Sequence, residues 1–130
     1  IAGGLFLMHG TQKLFGFPVP FPGGSGELPT LILAAAIIEV VGGAMLMLGL
    51  LTRPVAFLLS GEMAVAYFKA HAPQGFWPLV NNGELAVLYC FVFLFFSVAG
   101  AGRYSLDALF RPRHITEQPV EVRTRRDIAA

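Results

Sequence analysis

Charge is scarce in this chain, and cysteine is nearly absent. Charged residues make up 13% of its 130 positions, against about a quarter in ordinary soluble domains. Between residues 30 and 100 the only acids are Glu39, Glu62 and Glu84. The single cysteine, Cys90, excludes an intrachain disulfide, a CxxC redox pair and a cysteine-based metal site. Set among large apolar residues, it reads as a small core or lipid-facing side chain. The net charge of +1 comes with no nucleic-acid-binding motif, so no nucleic-acid partner is expected.

What the chain has in abundance is apolar side chain, 55% of the total. It gathers in three helix-length runs, over residues 30–51, 54–72 and 84–100. About 20 such residues cross a bilayer as a helix, because in lipid only helices and closed barrels satisfy every backbone group. The runs lack the short alternation of barrel strands. The expected fold is therefore all-α, a transmembrane four-helix bundle of antiparallel up-down topology. Its helices are expected at about 1–15, 30–51, 54–71 and 83–99, in a unit covering residues 1–110. The opening IAGGLFLMHGTQKLFG reads as the second half of a helix, so the first helix is expected to be incomplete. It shows no basic leader region or cleavage site of a signal peptide.

Turn chemistry separates the runs. Pro18, Pro20, Pro22, Gly23, Gly24 and Gly26 make the first connection a long loop. The second is tight, through Leu51, Thr52 and Arg53, with Pro54 where a first helical turn accepts it. The third runs through Pro73, Gly75, Pro78, Asn81, Asn82 and Gly83, with Phe76 and Trp77 suited to a membrane interface. Arg53, Arg103, Arg111, Arg113, Arg123, Arg125 and Arg126 fall on one side, Lys13 and Lys69 on the other. The excess of arginine places the Arg53 turn and the C-terminus in the cytoplasm and the proline-rich loops outside, in what is expected to be a bacterial inner membrane. Residues 111–130 mix charges without apolar periodicity and read as a flexible polar tail whose arginines can touch anionic lipid.

A carboxylate at mid-bilayer is expensive and faces the bundle interior with a partner. Ala35, Glu39, Gly42 and Gly49 share one helix face, where small residues permit close packing in lipid. Leu58, Glu62, Ala66 and Lys69 form a stripe on the next helix, with Gly61 and Ala64 offering close approach. Glu39 stands thirteen residues before Thr52 and Glu62 ten after it, which puts the two within about 5 Å in depth across the tight turn. Facing each other, they would form a coupled pair sharing a proton. His9, Gln12, Lys13, Lys69, His71, Asn81, Asn82 and Glu84 gather toward the other ends of the helices. This polar gradient suggests a site opening outward.

Plainer readings stand beside these. The glutamates can be hydrogen-bonding glue as readily as a proton relay. Lys13 and Lys69 are expected to snorkel to the headgroups. His9 and His71 lack a third ligand at fixed spacing, so no metal is expected. Met45, Met47, Phe91, Phe93, Phe95 and Phe96 suit packing and lipid contact.

Several patterns in order carry a resemblance. They are His9-Gly10 with Gln12-Lys13-Leu14-Phe15-Gly16; Glu39 with Gly42-Gly43 and Gly49; Thr52-Arg53-Pro54; Glu62 with His71; Asn82 with Glu84; and Gly100, Gly102, Tyr104, Ser105, Leu106, Asp107. Together they resemble the DoxX family of small four-helix membrane proteins, over residues 1 to about 110. The last pattern also reads physically: Gly100 and Gly102 end a helix, Tyr104 suits the interface, and Ser105 caps a short helix with Asp107 in its first turn. The resemblance implies a membrane subunit of a redox or energy-conserving complex, beside other membrane subunits; with no nucleophile pair, cysteine redox centre or cofactor fingerprint in the sequence, no catalysis of its own is expected. Family members include a quinone-linked thiosulfate-oxidising enzyme, so the alternative is a quinone-interacting oxidoreductase subunit. There Gln12, His71 or Glu84 would meet the quinone, with Glu39 and Glu62 moving protons. No intrinsic cofactor is expected; a bound quinone or lipid is the ligand such a site could take. A proton-coupled transporter ranks third, since no inverted repeat or broken helix is visible.

Overall fold

The fold is taken from a computed structural model that describes residues 1–22 and 28–110. Gly23, Gly24, Gly26 and the expected polar tail lie outside the described residues, which contain helices and no strand. Four longer helices follow one another: α1 (Ala2–Phe15), α2 (Thr30–Leu48), α3 (Thr52–Ala66) and α4 (Glu84–Ala99). A short α5 (Leu106–Phe110) closes the described chain. Beyond α3 a wider π-helical turn, Tyr67–His71, prolongs the helical path before a single 3-10 turn, Ala72–Gln74. Among the described helices α2 alone is both long and apolar enough to cross a membrane by itself; α4 is apolar but has 16 residues.

Glycine sets the end of α2. Gly49 adopts a left-handed φ of 65°, its N–H bonds Leu46 O, and Leu50 N–H bonds Met45 O. That closure returns two orphan carbonyls to hydrogen bonds. Leu51 then also takes a positive φ, 48°, which a side chain with a Cβ resists. Asp107 holds it there: its carboxylate accepts Leu51 N–H at 2.7 Å and Thr52 N–H at 2.9 Å. Ser105 starts α5 by accepting Ala108 N–H at 3.2 Å. A Cβ at Gly49 would come within 2.4 Å of Ser105 Cβ. The closing pattern of the sequence is thus a clamp on the α2–α3 turn.

Packing follows two different rules. Between α1 and α2 the backbones nearly touch: a Cβ at Gly10 would lie 2.7 Å from Ala36 O, and one at Gly3 would lie 2.8 Å from Gly43 O. Such approach is the substitute for a hydrophobic drive in lipid. Between α3, α4 and α1 the packing is aromatic. Phe6, Ala56, Leu59, Met63, Tyr89 and Phe93 form the buried core, with Phe6 edge-on to Phe93 at 4.8 Å between centroids. Ser60 Oγ donates to the Cys90 carbonyl at 2.8 Å, tying α3 to α4. Gly42 rests on Leu59 and joins α2 to this core. Gly61, expected to give close approach, is instead exposed, with nothing described within 4 Å of a Cβ placed there. Its helix turns that face away because Leu59, Ser60 and Met63 take the buried side.

Candidate functional site

Glu39 is 2% exposed, and its partner comes from α1. Lys13 Nζ lies 2.6 Å from Glu39 Oε1, a charge-assisted hydrogen bond. Lys13 therefore does not snorkel toward the near end of its helix, as expected. The Cα–Cβ bonds of a helix tilt toward its N-terminus, so a lysine at the C-terminal turn of α1 reaches back along the helix. Gly10, one turn earlier, has already brought Ala36 and Val40 against α1. The short gap lets the ammonium reach Glu39.

Glu62 enters from the other side. Gly42 meets Leu59, and three residues further from the turn on each helix stand Glu39 and Glu62. Equal steps of 1.5 Å per residue leave them at about the same depth, closer than the count from Thr52 suggests. Both Glu39 and Lys13 act electrostatically on Glu62, yet no hydrogen bond joins the two carboxylates. Glu39 Oε2 and both Glu62 oxygens are buried without a hydrogen-bond partner. Three helices thus deliver one cation and two carboxyl groups to one level, with three acceptor oxygens unused.

The remaining candidates stand elsewhere. His9 is half-buried and sets its ring edge-on to Tyr89 at 6.1 Å. Gln12 is half-buried, and its side chain makes no hydrogen bond among the described residues. His71 Nδ1 lies 3.1 Å from Asn81 O, and its ring stacks on Tyr67. Asn82 is exposed at a left-handed φ of 55°. Glu84 is exposed at the first turn of α4, where a negative charge suits the helix dipole. No described contact brings His71 or Glu84 to the Lys13–Glu39 pair. Among the described residues no group of three or more metal-ligating side chains gathers. Gly100 and Gly102 take positive φ, 80° and 77°, and Tyr104 is exposed.

Sequence reasoning placed Asn81 in the third connection and its polar cluster but did not identify it as the buried centre of that turn. Asn81 is 2% exposed, donates to Gly75 O at 2.5 Å and to Tyr67 Oη at 3.3 Å, and accepts Gly83 N–H at 2.8 Å. Tyr67 Oη donates in turn to Phe76 O. An asparagine between Pro78 and Gly83 was the available signal, since such residues hydrogen-bond their own turns. A cavity of about 490 Å³ lies at the opposite end of the helices, beside Thr52, Arg53, Gly100 and Asp107, away from the ion pair.

A family model described as DoxX matches residues 1–72. The chain is 48% identical over 110 residues to an uncharacterized protein of Haemophilus influenzae, covering 82% of each. It is 31% identical over 127 residues to an uncharacterized membrane protein of Mycobacterium tuberculosis, covering 82% of this chain and 75% of that one. A second uncharacterized Haemophilus influenzae protein is 32% identical over 79 residues, 61% of this chain and 52% of its own length. No solved structure matches.

Proposed function

This chain belongs to the DoxX family of membrane proteins, and from that premise we propose that it is an integral membrane subunit of a redox or energy-conserving complex, without catalysis of its own. Its four longer helices form an antiparallel up-down transmembrane bundle, with the Arg53 turn and the C-terminus in the cytoplasm of a bacterium. The reading of the topology draws on contact order: Gly3 meets Gly43 while Gly10 meets Ala36, and Ser60 meets Cys90 while Tyr67 meets Gly83. The observation that carries the accessory role is the Lys13–Glu39 bond at 2.6 Å. A charge pair set in a helix seam holds the helices together and leaves the outer surface to meet neighbours. Phe57, Phe91 and Phe95 stand on that surface, where other membrane subunits or lipid would lie. Purification in mild detergent should yield larger membrane chains migrating with this one. A protein recovered every time as a lone monomer would refute the subunit role.

A second reading, a quinone-interacting oxidoreductase subunit, is favoured by Glu62, whose two buried oxygens lack partners. The fit to a quinone is partial. His71 already spends Nδ1 on Asn81 O, which leaves Nε2 for a quinol hydroxyl. Under this reading Glu62→Leu or His71→Phe abolishes quinol-dependent turnover of the native membranes. Unchanged turnover in both variants removes it.

A further inference from the structure

The charges at the Glu39 level do not balance. Lys13 supplies one positive charge and bonds Glu39 Oε1 at 2.6 Å. Glu62 then stands half-buried on the neighbouring helix, both carboxyl oxygens covered and neither bonded. The charged groups acting on it are Glu39 from α2 and Lys13 from α1, one negative and one positive. An ionised Glu62 would be a second anion with covered oxygens, sharing one lysine with Glu39 and accepting no hydrogen bond, a costly arrangement for a carboxyl group in a low-dielectric interior.

We propose that Glu62 is a proton-binding site inside the membrane, holding one exchangeable proton beside a Lys13–Glu39 pair that keeps its charges fixed. The two carboxyl groups divide the work through their surroundings: one is locked by a counter-ion, the other is left to take up and release a proton. The exchange makes and breaks only the O–H bond of the Glu62 carboxyl group, with water as donor and acceptor, and moves no electrons. Glu39, 2% exposed, leaves its own Oε2 unbonded beside that level. Lys13, whose side chain is 21% exposed, leads from this level toward the Gly16 end and gives water its approach. This inference rests on neither reading above, since a proton on Glu62 needs no partner subunit and no quinone.

The test is infrared difference spectroscopy of the full chain in vesicles of phosphatidylethanolamine and phosphatidylglycerol. The expected result is a carboxylic-acid carbonyl band at neutral pH that shifts on transfer to heavy water. It disappears in Glu62→Gln and stays in Glu84→Gln. Lys13→Met, which strips Glu39 of its counter-ion, should roughly double the band as Glu39 takes a proton too. A band that survives Glu62→Gln, a wild type with no band, or a band insensitive to heavy water overturns the proposal. Loss of the wild-type band when sodium replaces potassium at constant pH also overturns it, in favour of a bound metal cation. The heavy-water shift is read on the wild type alone, so its absence overturns the proposal even if a variant fails to fold.

Discussion

A lysine and a glutamate that meet at 2.6 Å in a glycine seam bear on one another more than on anything else. Removing one partner of a buried ion pair strands the other, at a cost of about 3 kcal/mol. Lys13→Met should therefore lower stability by about that amount in a denaturation series, less whatever Glu39 recovers by taking a proton. The double variant Lys13→Met/Glu39→Leu should regain most of the loss, because two apolar groups need no pairing. Equal losses in the single and double variants would show that the pair contributes packing alone. Each residue was legible as a buried or interfacial charge. Their bond was not, because a long side chain can meet its partner above or below its own Cα, and only the crossing of α1 and α2 selects the direction.

At the scale of the helix, glycines that look alike in the sequence behave in opposite ways. A Cβ at Gly10 would stand 2.7 Å from Ala36 O, whereas at Gly61 it meets nothing described within 4 Å. Gly10→Val should push α1 off α2 and cost about 2 kcal/mol or more through overpacking. Gly61→Ala should stabilise α3 by about 0.5–1 kcal/mol, the helical preference for alanine. Thermal midpoints of the two variants in one detergent check both signs. The third connection teaches the same lesson: its prolines and glycines announced a turn, while the burial of Asn81 depends on Tyr67 meeting it from outside the turn and on Gly75 closing over it. The clamp of Asp107 on Leu51 and Thr52 spans more than fifty positions of chain, beyond any local pattern.

For the whole molecule, the orientation proposed for the bundle has a direct consequence. In the Cys90→Ser background, a cysteine at Gln74 should react with a membrane-impermeant maleimide added outside cells, and one at Arg53 should react only after the membrane is opened. Both positions are exposed, so accessibility reports the side of the membrane and not burial. The reverse pattern would invert the bundle, placing Lys69 rather than Arg53 on the cytoplasmic face.

Composition and spacing by themselves determined that the chain is helical, suited to lipid and poor in charge, because the period of an apolar run and the cost of an intramembrane carboxylate are local facts. They also set Glu39 and Glu62 at nearly one depth, since a tight turn makes neighbours of the helices it joins. Only the tertiary structure decided which carboxylate is paired and which is left with unbonded oxygens. That choice depends on how far each helix is rotated about its axis and which glycines let two backbones close, and both come from packing among helices distant in the chain.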